Sequence, residues 1–387
     1  MTRTTFRSAP ARWRAGAIVL TAALGIGGAL GLAGPASAFP ILTGPIFSST
    51  DLRDCVAGTL GQPTSDPITY AQMESLTNLS CNNKTIQEFS ALSSAKNLVS
   101  LTLQSDEISS FAALKDLHSL ETLDLRNNYI SEFPTMTGLT SLDSIYLDDN
   151  SITSLSHLSG LKSSLSALSL SDNYISTISA IRTFDFIDSL WLDGNSIRDL
   201  SGLAHVIDGG DLFDATDQVI NYSGTTVNTK RSLPAVYKPS STKTTLKVGS
   251  GSVAHGKITD KKYITWTTTG VGQLSWSVSI PMNGSTGQYS GTIERDVLKK
   301  MTSSTPKITG TAKVGKTLNA SAKGWTSGVT KYYDWQRDGK SVKYGESSSY
   351  KLTSKDKGHR IRVSVTGFKQ HYLDVTRTSA KTATVSN

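Results

Sequence analysis

The chain has 387 residues, of which 37% are hydrophobic and 18% are charged, and its formal net charge is +8. Its 2 cysteines form no Cys-x-x-Cys pair and its 6 histidines lack ligand spacing, so nothing supports a metal site or a catalytic cysteine. The charge is unevenly distributed: residues 39–235 hold 10 basic and 23 acidic residues, whereas residues 236–387 hold 25 basic and 8 acidic residues. The basic residues are dispersed and form no recognition motif, which argues against nucleic acid as a partner.

Residues 1–38 have the composition of a secretory signal peptide. Four arginines precede an apolar stretch over residues 17–32, and the segment ends in Ala36-Ser37-Ala38. This order predicts export with cleavage after Ala38, and no integral membrane segment is expected after cleavage. An uncleaved membrane anchor is the alternative, which the glycine-rich apolar stretch and the small-residue end disfavour.

Residues 39–75 are predicted to form a helical cap. Residues 47–60 place Leu52, Val56 and Leu60 on one helical face, and Gly61 ends that helix. A second helix is expected after Thr69, since Gln72 three residues later completes a capping box. Two such helices would cover the apolar end of the repeats that begin at residue 76.

Residues 76–222 contain a repeat of the form L-x-x-L-x-L-x-x-N-x-I. The period is 22 residues with one step of 23, and the starts are Leu76, Leu98, Leu120, Leu142, Leu165 and Ile187. The pattern predicts a leucine-rich-repeat solenoid of α/β class, in which short strands alternate with 3₁₀-like turns. No single unit buries its apolar row, so the core must run through the stack.

A polar position recurs eight residues into each unit. It is occupied by Asp106, Asn128, Asn150, Asn173, Asn195 and, in a degenerate last copy, Asp217. An inward amide there would satisfy backbone groups of the turn, so the column is interpreted as structural.

Cys55 lies in the predicted cap and Cys81 at an inward position of the first repeat. In an exported chain such a pair favours a disulfide, with two buried thiols as the alternative.

Short alternating runs with turn signals predict two all-β domains after the repeats, over residues 223–303 and 304–387. The second contains a match to the P-loop pattern, Gly310-Thr-Ala-Lys-Val-Gly315-Lys316-Thr317. A P-loop requires a helix after the glycines, and the residues that follow have no helical period. A nucleotide site is therefore rejected.

The signal peptide, the cap, the 22-residue repeats and the exit sequence Asp211-Leu-Phe-Asp-Ala-Thr-Asp-Gln together resemble the internalins, secreted bacterial surface proteins. The resemblance implies an immunoglobulin-like domain fused to the last repeat, and Tyr263-Ile-Thr-Trp266 and Tyr289-Ser-Gly-Thr-Ile293 look like its strands. Residues 304–387 are similar to small β-sandwich modules of secreted actinobacterial proteins, whose general role is spacing or wall association.

Residues between the inward leucines of each strand are expected on the concave face of the solenoid. One predicted column is Ser80, Thr102, Asp124, Tyr146, Ser169, Trp191 and Phe213, and its neighbour is Asn82, Gln104, Arg126, Asp148, Ser171, Asp193 and Ala215. Exposed aromatics and arginine are typical of binding hot spots. The predicted ligand-binding residues are Asp124, Arg126, Tyr146, Asp148, Trp191, Asp193 and Phe213. The competing interpretation is that single exposed aromatics are ordinary on strands.

These patterns predict a non-enzymatic protein, without a cofactor, that recognises a protein or glycan on the repeats. The alternative is a structural spacer whose basic C-terminal domains bind anionic wall polymers; dispersed lysines that merely solvate sheet edges would look the same. No LPxTG-like motif follows the last domain. The expected location is therefore extracellular, either released or held to the wall without a covalent bond.

Overall fold

A computed structural model of the protein describes residues 44–240, 244–246, 253–260 and 262–387. The predicted signal peptide lies outside these described residues. Within them, no helix combines the length and the apolar content that a membrane span requires.

Two short helices begin the described chain. Helix α1 (Thr50–Thr59) starts where the Ser49 hydroxyl accepts the Leu52 N–H at 3.2 Å. Helix α2 (Tyr70–Ser75) follows the predicted capping box, in which the Gln72 side chain accepts the Thr69 N–H at 2.8 Å. Both helices are confirmed, although the first is shorter than the predicted span of residues 47–60. They bury their apolar faces against the first repeat.

Each repeat contributes one three-residue strand. These strands are β1 (Asn78–Ser80), β2 (Ser100–Thr102), β3 (Thr122–Asp124), β4 (Ser144–Tyr146), β5 (Ala167–Ser169) and β6 (Ser189–Trp191). A short strand, β7 (Asp199–Ser201), lies in a return segment, and β8 (Leu212–Thr226) completes the series. Neighbouring repeat strands pair in parallel, one repeat step apart. The middle residue of every one is buried, so the predicted solenoid is confirmed.

The return segments on the opposite side are tight turns. They contain 3₁₀ helices over Ser90–Ser94, Ala112–Leu114, Leu158–Leu161 and Ile181–Thr183, and one α-helical turn, α3 (Ala204–Ile207). Their apolar residues at every third position are buried, which is the period that a 3₁₀ helix presents on one face.

The asparagine column satisfies backbone groups, as its spacing predicted. The Asn128 amide nitrogen donates to Leu103 O at 2.8 Å and to Leu125 O at 2.9 Å, and its oxygen accepts the Ile108 N–H at 2.9 Å. Asn150, Asn173 and Asn195 repeat this pattern. We call the column the ladder.

The prediction for the last rung is wrong by one residue. Gln218, not Asp217, occupies it: the Gln218 side chain accepts the Ile197 N–H at 2.8 Å and donates to Leu192 O at 2.8 Å. Gln218 has 0% of its surface exposed, whereas Asp217, the residue before it in β8, is exposed and has a φ of 54°.

The same one-residue shift in register places Phe213 in the core and not on the predicted concave face. Phe213 pairs with Leu190, a step of 23 residues, and is only 2% exposed. The extra residue is absorbed at Gly209, which has a φ of 88°, and at Gly210, where any Cβ would lie 2.7 Å from Asp188 O. Phe213 therefore belongs to the core, and Ala215 is buried as well.

The next segment is made of strands. They are β9 (Lys230–Ser232), β10 (Tyr237–Ser240), β11 (Thr244–Thr245), β12 (Val253–Ala254), β13 (Gly256–Thr259), β14 (Tyr263–Trp266), β15 (Gly270–Pro281) and β16 (Thr286–Leu298). The sheet of the repeats continues into them, in the order β1-β2-β3-β4-β5-β6-β8-β16-β15-β12. Two further sheets have the orders β11-β10-β7 and β13-β14-β9.

These strands share one core with the repeats. Trp266, Trp276 and Tyr289 are buried in the cluster that begins at the cap, and the Tyr289 hydroxyl donates to Ile197 O at 3.1 Å. The border predicted between residues 222 and 223 falls inside β8, which belongs to both parts.

The last segment has a separate core. Its strands are β17 (Lys307–Thr309), β18 (Thr317–Ser321), β19 (Thr330–Arg337), β20 (Lys340–Gly345), β21 (Ser349–Lys351), β22 (Ile361–Phe368) and β23 (Val375–Thr378). They form sheets of order β17-β18-β21 and β20-β19-β22-β23, which enclose Leu318, Trp335 and their neighbours. The P-loop-like residues lead into strand β18 rather than a helix.

Candidate binding surface on the concave face

The concave face consists of the residues that flank the buried middle residue of each strand. Strand pairing aligns the first column as Ser80, Thr102, Asp124, Tyr146, Ser169, Trp191 and Asp214. Six of the seven predicted ligand-binding residues lie on this face or in the column two residues further on. The exception is Phe213, whose place is taken by Asp214.

The N-terminal half of the surface is built around one ion pair. Arg126 Nη2 lies 2.6 Å from Asp124 Oδ2, and Gln104 Nε2 donates to the same oxygen at 2.6 Å. The hydrogen bond to Asp124 raises the pKa of the Arg126 guanidinium. The guanidinium also lies over the Tyr146 ring, with its central carbon 5.5 Å from the ring centroid. Asp124 is 7% exposed, so it positions Arg126 and Tyr146 more than it offers a contact of its own.

The C-terminal half is acidic. Asp148 accepts hydrogen bonds from the Ser169 hydroxyl and from the Ser171 N–H, and Asp193 accepts one from the Ser171 hydroxyl. Burial raises the pKa of Asp193, which hydrogen bonds only partly offset. Asp214 adds a further carboxylate, whose oxygen accepts the Thr216 N–H at 2.8 Å. This half therefore presents hydrogen-bond acceptors and negative potential.

Two aromatic side chains stand among these acceptors. Tyr146 and Trp191 are half-buried and occupy the same column, with Ser169 between them. Their strands are two sheet spacings apart, or about 10 Å. Ser169 is only 5% exposed, so the surface dips between the two rings. One ligand can contact both rings at once.

One candidate residue, Asp214, is visible only with the structure. Asp214 was hidden by the 23-residue step. Tyr129 and Tyr174, which are 64% and 65% exposed, follow the ladder asparagines of two repeats and lie outside the two columns. Both tyrosines belong to a recurring Asn-Tyr-Ile triplet, at residues 128–130 and 173–175, and neither is part of the candidate site.

One comparison with known protein families agrees with the repeat architecture. A family model described as a leucine-rich repeat matches residues 96–152. No curated protein matches the sequence. Similar solved structures include an internalin (inlF) from Listeria monocytogenes, with 23% identity, a TM-score of 0.41, and coverage of 48% of this chain and 62% of that chain.

Two further structures from the same organism are similar. Internalin C2 has 24% identity and a TM-score of 0.35, covering 44% of this chain and 83% of its own, and InlP has 14% identity and a TM-score of 0.32, covering 66% and 99%. These values are too low to assign a function. The match over residues 96–152 and the strand geometry together identify the central part of the chain as a leucine-rich-repeat solenoid.

Proposed function

We propose that the protein is a non-enzymatic, exported recognition protein that binds a protein or glycan on the concave face of its repeats. The observation that carries the proposal is the pair of half-buried rings, Tyr146 and Trp191, set among the carboxylates Asp148, Asp193 and Asp214. Large aromatics are the side chains that most often dominate binding energy. The neighbouring carboxylates favour a ligand that brings hydroxyl or cationic groups.

The size of the surface supports this function. Seven strands at about 4.8 Å span roughly 30 Å, enough for a standard interface of about 800 Å² per side. The rings lie toward the centre and C-terminal half of that span. Hot spots occupy such central positions, where surrounding contacts exclude water.

An extracellular location is supported by two features. The N-terminal segment has the pattern of a signal peptide, and the chain carries a disulfide between Cys55 and Cys81. Disulfides persist in oxidising compartments and are rare in the cytosol. The bond connects α1 to the residue that follows β1, so it fastens the cap to the first repeat.

The test compares an outward substitution with an inward one in the mature chain, residues 39–387. Once a partner has been captured, calorimetry should show that Trp191→Ala weakens its binding by about 2 kcal/mol or more, with little change in thermal stability. Leu192→Ala, one position later and 0% exposed, should instead cost about 2 to 5 kcal/mol of folding stability through cavity formation.

Tyr174→Ala is the matched control, since Tyr174 is exposed on the repeats but lies outside both columns. It should bind as the unchanged chain does. Full affinity in a Tyr146→Ala, Trp191→Ala double variant would rule out this face as the binding site.

A second candidate function rests on charge. Residues 236–387 carry a net charge of +17, against −13 for residues 39–235. A spacer held to anionic wall polymers by its basic end would use that excess. Its retention on anionic wall material should fall steeply between about 0.15 M and 1 M salt, where the Debye length shrinks from about 8 Å to about 3 Å. Retention that ignores salt would exclude this candidate.

A further inference from the structure

One sheet of the last segment exposes a group of aromatic rings that its core does not use. In β19, Tyr333 and Trp335 point inward and are buried, whereas Tyr332 on the same strand points outward. Tyr344 on β20 and Phe368 on β22 flank Tyr332 on that outer face. Tyr344 is 65% exposed and Phe368 is 38% exposed.

The three rings are in mutual contact. The Tyr332 and Tyr344 rings stack with centroids 5.9 Å apart and planes 12° apart. The Phe368 ring meets Tyr332 edge-on, at 5.5 Å and 81°. We call Tyr332, Tyr344 and Phe368 the aromatic platform. Because the hydrophobic core of the segment lies on the other face of this sheet, folding does not require the rings to be there.

Polar side chains continue the same face beside the platform. Gln336 Nε2 donates to Asp334, and Arg362 Nε donates to Gln336 Oε1 at 2.6 Å. Hydroxyl pairs follow across the strands, Ser364 with Thr378 and Thr366 with Thr376, each at 2.8 Å. The face therefore combines flat apolar rings with a row of amide, guanidinium, carboxylate and hydroxyl groups.

The charges at the platform differ from those of the segment as a whole. Residues 304–387 hold 16 basic and 5 acidic residues. Yet carboxylates stand next to the rings: the Tyr332 hydroxyl hydrogen-bonds Glu346, which raises the pKa of Tyr332, and Asp334 pairs with Tyr344 across the strands. These carboxylates would repel an anionic polymer at this spot, although the rest of the segment attracts one.

The size of the aromatic platform limits the classes of ligand that it can bind. Three partly exposed rings offer far less than the roughly 800 Å² per side of a standard protein interface. A lipid surface would need a larger group of exposed apolar side chains, and these three rings stand beside a row of polar groups instead. The ligand that fits is uncharged, has flat apolar faces and carries many hydroxyl groups.

We propose that the aromatic platform binds an uncharged glycan chain. Sugar rings present patches of weakly positive C–H groups, which the negative faces of Tyr344 and Tyr332 attract. The sugar hydroxyl groups reach the polar row, where Asp334 and Gln336 accept and Arg362 donates. This activity is separate from recognition on the concave face, and it differs from Coulomb attraction to anionic polymers because it needs no net charge.

The experiment measures retention of the mature chain on uncharged glycans. The probes are chitin, cellulose, peptidoglycan stripped of its anionic polymers, and an array of neutral oligosaccharides. The chain should be retained on at least one of them equally in about 0.15 M and about 1 M NaCl, because an uncharged ligand is not screened. Tyr344→Ala should weaken that binding about tenfold, a typical loss for one stacking ring.

Two comparisons keep the result interpretable. Tyr344→Phe keeps the ring and should bind as the unchanged chain does. Tyr129→Ala with Tyr174→Ala removes two equally exposed tyrosines from the repeats and should also leave binding unchanged. Because Tyr344 is 65% exposed, Tyr344→Ala should melt at the same temperature as the unchanged chain, so weaker glycan binding in this variant would not be due to unfolding.

Three outcomes would overturn the proposal. The first is no retention on any of the uncharged probes, including the case in which only anionic polymers retain the chain. The second is retention that high salt abolishes. The third is retention that Tyr344→Ala leaves unchanged. A loss of binding in Trp191→Ala but not in Tyr344→Ala would assign the glycan to the concave face instead.

Discussion

Asp106 should destabilise the solenoid at neutral pH, and Asp106→Asn should increase the free energy of unfolding. The Asp106 side chain is 0% exposed and stands in the ladder, where the following four rungs are asparagines. One of its oxygens accepts the Lys84 N–H at 2.6 Å, but Oδ2 has no hydrogen-bond partner among the described residues. In the rung of Asn128 the corresponding atom is an amide nitrogen that donates to backbone carbonyls. A carboxylate cannot make those bonds.

The magnitude follows from the pKa. Burial raises the pKa of Asp106 from 3.8 to about 6, an effect that the Lys84 N–H only partly offsets. The unfolded chain loses its proton near pH 3.8 and the folded chain near pH 6, so stability falls as pH rises through that window. At 1.36 kcal/mol for each pKa unit, the penalty above pH 6 is about 3 kcal/mol. Asparagine removes this penalty and adds hydrogen bonds of about 1 kcal/mol each.

Urea unfolding of the mature chain, followed by circular dichroism between pH 4 and pH 7.5, measures the difference directly. Hydrogen exchange of the first repeats localises it. Asp106→Asn should be more stable by about 3 to 5 kcal/mol at pH 7.5, and the part that arises from the pKa, about 3 kcal/mol, should largely vanish at pH 4. The mirror variant, Asn128→Asp, should be destabilised at pH 7.5 and should gain the same pH dependence. An Asp106→Asn variant no more stable than the parent at pH 7.5, or a gain that is the same at both pH values, would refute the reasoning.

Two other predictions concern structural bonds. Cys55→Ala with Cys81→Ala opens a loop with a sequence separation of 26 and should cost about 3.5 kcal/mol, seen as faster hydrogen exchange in the cap; unchanged exchange would contradict it. Asp356→Ala should cost the last segment about 3 to 5 kcal/mol, because Arg337 and Tyr350 both bond this fully buried carboxylate. Burial alone would raise the pKa of Asp356, but hydrogen bonds from Thr353, Arg337 and Tyr350 together lower it. The parent segment should therefore lose the stability that Asp356 contributes only as pH falls below 3.8, and calorimetry that finds this loss near neutral pH would contradict the assignment.

Much of the fold can be predicted from the sequence because the same pattern of buried apolar residues recurs in every repeat. The buried residues Leu101, Leu123 and Leu168 occupy the same position in their repeats. The register assigned to one repeat can therefore be checked against the neighbouring repeats. The ladder is predictable for the same reason: an amide such as Asn128 has both a donor and an acceptor to satisfy buried backbone groups. Capping at Thr69 depends on three adjacent residues and needs no tertiary information.

The end of the solenoid could not be predicted in this way. No later repeat follows to check the register, and Leu212 and Phe213 are equally apolar neighbours. In the structure Phe213 is the inward residue and Leu212 is 41% exposed. The reason is that the turn at Gly209 accommodates one extra residue. A shift of one residue exchanges the two faces of a strand, so this single insertion removed Phe213 from the candidate site and added Asp214.

The aromatic platform was equally invisible in the sequence. Tyr332, Tyr333 and Trp335 lie close together in one strand, and period two alone does not say which face is buried. That choice depends on the pairing of β19 with β20 and β22, which brings Tyr344 and Phe368 to the side of Tyr332. Contacts between distant strands carry no local signal.

The continuous sheet determines how the concave face has to be studied. Strand β8 ends the repeats and also pairs with β16 over most of its length, and Tyr289 on β16 donates to Ile197 O inside the solenoid. Removing residues 223–303 would therefore expose the core beneath the last repeats, next to Trp191 and Asp214. Loss of binding in such a truncated chain would report unfolding of the candidate site as readily as loss of a contact. Point substitutions at Trp191 on the repeats and at Tyr344 on the last segment leave both cores intact, and they are the variants that separate recognition by the concave face from glycan binding by the aromatic platform.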